Sequence, residues 1–255
     1  MEKREDQQVK RPKHDIIFGI HSIEEALSSD TEIEKILVRK DYENEAIKKI
    51  LHRASIQNIP IQKVPIYKID SITRKNHQGI LAFISSVSYA SLDHIIHETF
   101  RQGRDPLFLL LDRVTDVGNF GAIARTAEGL GFNALIIPNK GGALISKEAM
   151  NSSAGALAHI PVCRVKNLAG TIKYLQNNGI HVIACSDKAN ELLYKKDLKG
   201  PLTLVMGSEF DGISREILDI CNDMVRIPMY GKISSYNVSV SMAIAGSEIV
   251  RQRME

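Results

Sequence analysis

The chain has 255 residues, of which 44% are hydrophobic and 25% are charged, and its net charge is +3 at neutral pH. That length and composition predict a globular protein of one large domain or two modest ones. No apolar run reaches the length of a membrane-spanning helix, about 20 residues. The first residues lack the apolar core of a secretory signal. The three cysteines form no zinc-binding motif. We therefore expect a cytoplasmic protein with reduced thiols and no membrane partner or metal. The charge is compatible with nucleic acid, but aromatic residues are only 5% and Trp is absent, which disfavours a base-stacking platform.

Residues 1–14 are charged and show no periodicity, which predicts a disordered tail, either plainly solvated or touching a partner. Residues 15–89 alternate strand and helix patterns, which predicts a small α/β domain. Its first helix follows a strand edge, with Ser22 as the candidate N-cap and Glu24 and Glu25 in the first turn. The predicted elements after that helix are a strand over 33–40, a helix over 44–58 and strands over 59–65 and 78–87.

A helix pattern followed by a polar break over residues 90–104 predicts a linker. A second α/β domain is predicted over 105–255. Its strand patterns are continuously apolar, which is typical of parallel strands buried on both faces, and helix patterns separate them. The predicted fold class is therefore α/β, with a C-terminal parallel sheet covered by helices. The predicted strands are 107–111, 134–138, 181–185, 202–206 and 225–228.

The first segment that could carry chemistry, residues 112–132, follows the first of these strands. Asn119 stands where the N-cap of the next helix is expected, and Arg125 is a large cation among small residues. An ordinary strand–helix turn, with Arg125 reaching solvent, fits the same pattern. Gly118 and Gly121 do not form the G-x-G-x-x-G fingerprint, which disfavours a nucleotide-binding oxidoreductase.

The second segment is GSEFDGIS at 207–214. Gly207 directly follows a buried strand, where a backbone can approach a ligand closely. Glu209 comes two residues later, and Ser214 can cap the next helix. The alternative is a loop whose acids are merely solvated.

The third segment spans residues 227–249. Pro228 and Gly231 break the strand pattern, and Ser235 and Asn237 lead into a final helix rich in small residues. Either side chain could simply cap that helix. In an open α/β sheet, however, ligands collect where loops leave the carboxyl ends of strands, so the three segments together predict a functional site.

Together these segments resemble the SpoU (TrmH-type) family of RNA ribose 2′-O-methyltransferases, within the SPOUT superfamily. The matching motifs are N-x-G-A-I-x-R-T-A at 119–127, G-x-E-x-x-G-I-S at 207–214 and I-P-M-x-G-x-x-S-S-x-N-V-S at 227–239. FGIHSIEEAL at 18–27 and NHQGILAF at 76–83 resemble the L30e-type substrate-binding domain of members that modify large-subunit ribosomal RNA. The resemblance covers nearly the whole chain after the N-terminal tail.

The resemblance implies a C-terminal catalytic domain with a trefoil knot, preceded by an L30e-like RNA-binding domain. It also implies a homodimer whose active site lies at or near the interface. The implied reaction is methylation of a ribose 2′-oxygen in RNA by S-adenosylmethionine, with a guanosine of 23S ribosomal RNA as the expected target. A transfer-RNA ribose methyltransferase and a non-catalytic RNA-binding ribosome-assembly factor are the alternatives.

The resemblance also implies residue roles. Two positions depart from the family pattern: Tyr236 stands where Leu is usual, and Phe210–Asp211 replaces a small or acidic pair. The catalytic candidates are Asn119, Arg125, Glu209, Ser235 and Asn237, and the cofactor-binding candidates are Gly207, Ile227, Met229 and Tyr236. The cations expected to contact RNA, unless they form a plain solvated face, are Arg39, Lys40, Lys48, Lys49 and Arg53, and NHQG at 76–79 is the candidate backbone-contacting turn.

Overall fold

A computed structural model of the protein describes residues 15–41, 44–233 and 235–254. The predicted N-terminal tail lies outside the described residues. The chain divides into two units, with the boundary between Ser85 and Ser86.

The first unit is a four-stranded sheet in the order β1-β4-β2-β3, in which only β2 and β3 run parallel. One face of the sheet packs on the first two helices through an aliphatic core that includes Ile23, Ile36 and Ile50. The elements are β1 (Ile16–Phe18), α1 (Ile20–Ala26), β2 (Ile33–Arg39), α2 (Glu45–Ile56), β3 (Ile61–Val64), α3 (Ile66–Asp70) and β4 (Ile80–Ile84).

The N-terminus of α1 differs from the sequence prediction. Gly19, not Ser22, occupies the N-cap, at φ 85°, a left-handed conformation that favours glycine. The acceptor for the first helical N–H comes from a distant residue: the Ile20 N–H donates to Oε1 of Gln78 at 2.9 Å. In the same turn, the Gly79 N–H donates to Nδ1 of His77 at 3.1 Å. The NHQG segment therefore holds the fold of this unit together through its side chains.

Two of the predicted RNA-contacting cations have partners within the first unit. Lys48 lies 3.1 Å from the carboxylate of Glu45, one turn earlier in α2. Arg53 donates to the carbonyl of Leu27 at 3.3 Å and to the Ser28 hydroxyl at 2.9 Å. Arg53 thus ties α2 to the end of α1, which gives it a structural role.

The second unit is built on a seven-stranded sheet in the order β7-β6-β5-β10-β8-β11-β9, and every strand pairing in it is parallel. Its helices are α4 (Leu92–Arg101), α5 (Val117–Gly129), α6 (Lys147–Ser152), α7 (Leu168–Asn177), α8 (Arg215–Leu218) and α9 (Val238–Arg253). Its strands are β5 (Leu107–Asp112), β6 (Ala134–Pro138), β7 (Val162–Val165), β8 (His181–Cys185), β9 (Glu191–Leu192), β10 (Leu202–Gly207) and β11 (Asp223–Arg226).

Both faces of this sheet are buried, as the apolar strand patterns predict. Along β5, Leu109 packs into the core under α5 and α9, whereas Phe108 and Leu110 pack into the core under α4 and α7. The α/β fold class with a parallel sheet is thus confirmed, and the trefoil knot stays a prediction. The helix predicted at the start of the 90–104 segment is observed as α4. Its Ile96 is fully buried in the core of the second unit, so α4 packs as part of that unit.

The last helix, α9, is anchored at its end by a buried polar network. Glu248 accepts two hydrogen bonds from Arg251, at 2.8 and 2.9 Å, and one from Gln252 at 2.8 Å. These bonds, that from Arg251 foremost, lower the pKa of Glu248 to about 2. Gln252 in turn accepts from the Leu198 N–H at 2.9 Å and donates to the Lys196 carbonyl at 3.1 Å. The network fixes α9 to the segment that leads into β10.

Candidate active site

The carboxyl ends of three neighbouring strands, β8, β10 and β11, open onto one cavity. Its volume is about 390 Å³, which falls within the about 300–1,000 Å³ that is usual for small-molecule sites. All four predicted cofactor-binding residues line it, together with two of the predicted catalytic residues. The residues of these two sets at the cavity are Gly207, Ile227, Met229 and Tyr236, and Glu209 and Ser235.

Gly207 closes one wall of this cavity by permitting a close backbone approach. A Cβ atom there would lie 2.2 Å from both the carbonyl carbon of Gly212 and the nitrogen of Ile213. The intervening loop turns back on itself through two backbone bonds between Ser208 and Gly212, at 3.0 and 3.1 Å. Only glycine at 207 therefore allows the loop to return so tightly beside the strand end.

Asn237 links the second and third motifs to the first. Its Nδ2 donates to Oδ1 of Asn119 at 3.0 Å and also to the carboxylate of Glu209. Its Oδ1 accepts from the backbone N–H of Ser239 at 2.9 Å, which caps α9. The capping function considered for Asn237 is thus confirmed, and the opposite side of the same amide holds two of the other predicted catalytic residues.

The first helix of the site begins earlier than predicted. Asp116, not Asn119, is the N-cap of α5, and its carboxylate accepts from the Asn119 N–H at 2.7 Å. Asn119 consequently lies within the first turn, and its side chain is available to Asn237. Asp116 could have been found in the sequence, since an Asp that precedes the small-residue helix is itself a strong N-cap signal.

The second motif, residues 207–214, is fixed to the sheet by a hydrogen bond to the end of β5. Ser214 makes no side-chain capping bond to α8; instead its backbone N–H donates to Oδ2 of Asp112 at 2.7 Å. Asp112 is buried at the end of β5, paired in register with Gly207 of β10. This carboxylate therefore joins the end of β5 to the start of α8, a role that was not predicted from the sequence.

Arg125 lies apart from the other catalytic candidates. It is exposed in α5 and has no hydrogen bond or ion pair to any residue within the described ranges. Six residues separate it from Asn119, which corresponds to about 9 Å along the helix axis and a different face. It contributes to neither cavity at the carboxyl edge of the sheet.

A second, smaller cavity of about 40 Å³ adjoins the first. Asn119 and Asp116 line it, whereas Glu209 and Phe210 line both cavities. Glu209 and Phe210 therefore stand between the larger cavity and the start of α5.

The thiol at the larger cavity is not a nucleophile. Burial raises the pKa of the Cys185 thiol to about 12, and it raises the pKa values of Cys163 and Cys221 to about 12 as well. Within residues 15–41, 44–233 and 235–254, no group of three or more His, Cys, Asp or Glu side chains could hold a metal ion. In that same part of the chain no helix is both long and apolar enough to cross a membrane.

A parallel α/β sheet with a small-molecule cavity at the carboxyl ends of its strands defines a cofactor-binding enzyme of the open-sheet type. Comparison with family models identifies it further: residues 106–247 match the SpoU rRNA Methylase family, and residues 16–90 match the RNA 2′-O ribose methyltransferase substrate-binding family. The chain belongs to the SpoU methylase family.

Relatives and solved structures agree with that assignment. YacO of Bacillus subtilis, whose name places it in the TrmH family of tRNA/rRNA methyltransferases, is 33% identical over 94% of this chain and 97% of its own length. A Staphylococcus saprophyticus protein with the same family name is 35% identical over 93% of this chain and 96% of its own. The fold is similar to that of the SpoU methyltransferase AviRb from Streptomyces viridochromogenes, solved in complex with AdoMet, with a TM-score of 0.60 and 22% identity over 98% of this chain and 94% of that one.

These findings confirm the enzyme class that the motifs indicate, an S-adenosylmethionine-dependent RNA methyltransferase of the SpoU type. The names of the relatives cover both transfer and ribosomal RNA, so the target RNA stays a prediction.

Proposed function

We propose that this enzyme methylates the 2′-oxygen of a ribose in RNA, with a guanosine of 23S ribosomal RNA as its target. The observation that carries the proposal is the linked set Asn119–Asn237–Glu209, of which Glu209 lines the cavity that Gly207 closes. The match of the first unit to a substrate-binding domain of ribose 2′-O-methyltransferases supports the position of methylation. Transfer RNA is the alternative target, because the relatives' names include it.

The larger cavity suits S-adenosylmethionine in size and in charge. Met206, Ile213 and Ile227 provide apolar wall for an adenosine group. The cavity lining contains three carboxylates and two cations, which leaves a net charge of −1. It therefore favours a ligand with one net positive charge, which S-adenosylmethionine carries. The charged lining residues are Asp187, Glu209 and Asp211, and Lys188 and Arg226.

The bound cofactor would supply an electrophilic methyl group on a sulfonium, so the protein's task concerns the weak nucleophile. A ribose hydroxyl must be held about 3 Å from that methyl and lose its proton during attack. Glu209, oriented by the Asn237 amide, can accept a hydrogen bond from this hydroxyl. Asn119, which lines the smaller cavity, and Ser235, which lines the larger one, would orient the sugar.

Arg125 would act on the RNA through its planar guanidinium. That group would clamp a phosphate next to the target ribose and stabilise negative charge developing on the 2′-oxygen. Because Arg125 has no partner in the described chain and lies on another face of α5 from Asn119, we propose that it serves the active site of a second copy in a homodimer. The half-exposed Val240 on α9 gives that interface an apolar surface.

The first unit would bind the RNA through the cations that remain exposed. Lys40 and Lys49 are exposed to solvent. Lys75 is also exposed and lies over the ring of Phe18, 5.8 Å from its centroid, which adds one more positive group to the unit. Phosphate contacts of this kind lose affinity as salt rises, so RNA binding should be strongly salt-dependent.

The experiment that tests the target is a map of 2′-O-methyl positions in ribosomal and transfer RNA, with and without the gene. Loss of one methyl at a guanosine of 23S ribosomal RNA is the expected result. Loss at a transfer-RNA position would overturn the ribosomal target but keep the chemistry. An unchanged map of both RNA classes would overturn the proposed function.

A further inference from the structure

Phe210 is the aromatic side chain at which this chain departs from its family's second motif. It is 96% exposed, and it occupies the tip of the loop between β10 and α8. The residue before it, Glu209, carries the carboxylate of the proposed active site. A large apolar ring thus stands in water directly beside the groups that would hold the ribose.

The loop that presents Phe210 is held rigidly at its base. Besides the two backbone bonds between Ser208 and Gly212, the Asp211 N–H donates to the Ser208 hydroxyl at 3.2 Å. Arg113 reaches across from the end of β5, donating to the Gly212 carbonyl at 3.1 Å and lying 3.4 Å from the Asp211 carboxylate. The ring therefore projects from a fixed support, and ordering it on a ligand costs little conformational entropy.

The position of the ring favours the RNA over the cofactor. Phe210 lines both cavities, and in the smaller one it stands beside Asn119. A ring that packed on the cofactor's adenine would be expected to be covered by the cavity wall, whereas this one is almost wholly exposed. Neighbouring Cα atoms lie about 3.8 Å apart, so a ribose held at Glu209 brings its own base within reach of Phe210.

We propose that Phe210 is a positioning residue whose ring stacks on the base of the target nucleotide and so holds its ribose at Asn119, Glu209 and Asn237. This inference rests on the proposed function. Every base has a flat π face, so stacking fixes the nucleotide's position without selecting its identity. Aromatic residues are scarce in the chain, so the exposed ring of Phe210 would provide at this site the stacking that a wider platform provides in single-strand binders.

The test compares Phe210→Ala, Phe210→Trp and the control Tyr194→Ala, which truncates another exposed aromatic of the same unit that lines neither cavity. The probes are methyl-labelled S-adenosylmethionine and deproteinised total RNA from cells that lack the gene. Phe210→Ala should lower kcat/KM for RNA by about 5- to 100-fold, and Phe210→Trp should restore it. The dissociation constant for S-adenosylmethionine and the melting temperature should stay unchanged, and Tyr194→Ala should behave as the wild type.

Two results would overturn the role of Phe210 while leaving the proposed function intact. One is an unchanged kcat/KM for RNA in Phe210→Ala. The other is an equal loss of S-adenosylmethionine affinity in that variant, which would assign the ring to the cofactor. If the wild-type enzyme transfers no methyl group to the RNA, the proposed function itself fails, and the inference fails with it.

Discussion

Asn237 allows its structural role to be separated from its proposed catalytic role, because the two ends of its side-chain amide have different partners. The Oδ1 side caps α9 through the Ser239 N–H, and the Nδ2 side holds Asn119 and Glu209. Asn237→Ser keeps a short cap acceptor but has no group that reaches the other two side chains. Asn237→Ala removes both functions.

The magnitudes follow from the lost bonds. A helix N-cap contributes about 0.5–2 kcal/mol, and Ser is nearly as good a cap as Asn. The bond to the Glu209 carboxylate is exposed to water, so its loss should cost about 1 kcal/mol or less. The free energy of unfolding should therefore fall by about 1–3 kcal/mol in Asn237→Ala and by at most about 1 kcal/mol in Asn237→Ser. Turnover should fall in both, by about 100-fold, because the acceptor for the ribose hydroxyl is no longer oriented.

Urea unfolding and steady-state methyl transfer to RNA measure the two effects separately. Asn167→Ala is the matched control: Asn167 caps α7 by accepting from the Gly170 N–H at 3.1 Å and lines neither cavity. It should lose stability but keep its turnover. Wild-type turnover in Asn237→Ser would refute the orienting role, and a stability loss in Asn237→Ser as large as in Asn237→Ala would refute the capping argument.

Three further predictions concern the cavity wall at Gly207, the Glu248 network that anchors α9 and the proposed homodimer. Gly207→Ala should lower the free energy of unfolding by about 1–3 kcal/mol and abolish cofactor binding, because the new Cβ would clash with the backbone of Gly212 and Ile213. The control is Gly129→Ala, whose new Cβ meets nothing within 4 Å and should be neutral or stabilising. Thermal unfolding measures the stability of both variants, and calorimetry measures their cofactor binding. Glu248→Gln should cost about 1–2 kcal/mol at pH 7 in urea unfolding; because the folded pKa is depressed, this difference should be constant above about pH 5 and vanish as the pH falls from about 4.5 towards 2. Inactive Arg125→Ala and Glu209→Ala, mixed by refolding together, should recover about a quarter of wild-type methyl transfer, since half of the dimers then hold one intact site.

Each of these predictions has a result that contradicts it. If Gly207→Ala bound the cofactor with wild-type affinity, the close approach of the Gly212 backbone to residue 207 would not be needed to form the cavity. A stability difference for Glu248→Gln that persists at pH 2 would show that the carboxylate's charge is not its source. Failure of the mixed Arg125 and Glu209 variants to regain activity would place both groups in the site of one chain.

The strands of the second unit could be predicted from sequence because burial on both faces leaves continuous apolar runs. Four of the five predicted strands match observed ones to within a residue, and β11 lies two residues earlier than predicted, so Ile227 and Pro228 follow the strand. The short edge strands β7 and β9 were not predicted; β9 has only two residues, too few to leave a pattern. The helix pattern of α4 was predicted, but its packing into the second unit was not, because α4 buries only Ile96 and Thr99 and its other residues are mostly polar.

The sequence motifs indicated which residues belong to the candidate site, but they did not indicate how those residues are arranged in space. Asn119, Glu209 and Asn237 are brought together by strand order, since β5 and β10 are neighbours in the sheet although the 89 residues 113–201 lie between them in the chain. Gln78 caps α1 from 58 residues away, and no local pattern shows such a partner. Arg125 and Asn119 belong to the same sequence motif, but only Asn119 lines a cavity. Helix geometry points the two side chains to different faces of α5.

The most direct test of the central claim is the chemical identity of the methylated product. The purified enzyme would be incubated with methyl-labelled S-adenosylmethionine and RNA from cells that lack the gene, and the RNA digested to nucleosides for mass spectrometry. The account predicts label in a 2′-O-methylated nucleoside, and none with Arg125→Ala. Label on a base, or no label in RNA at all, would contradict it.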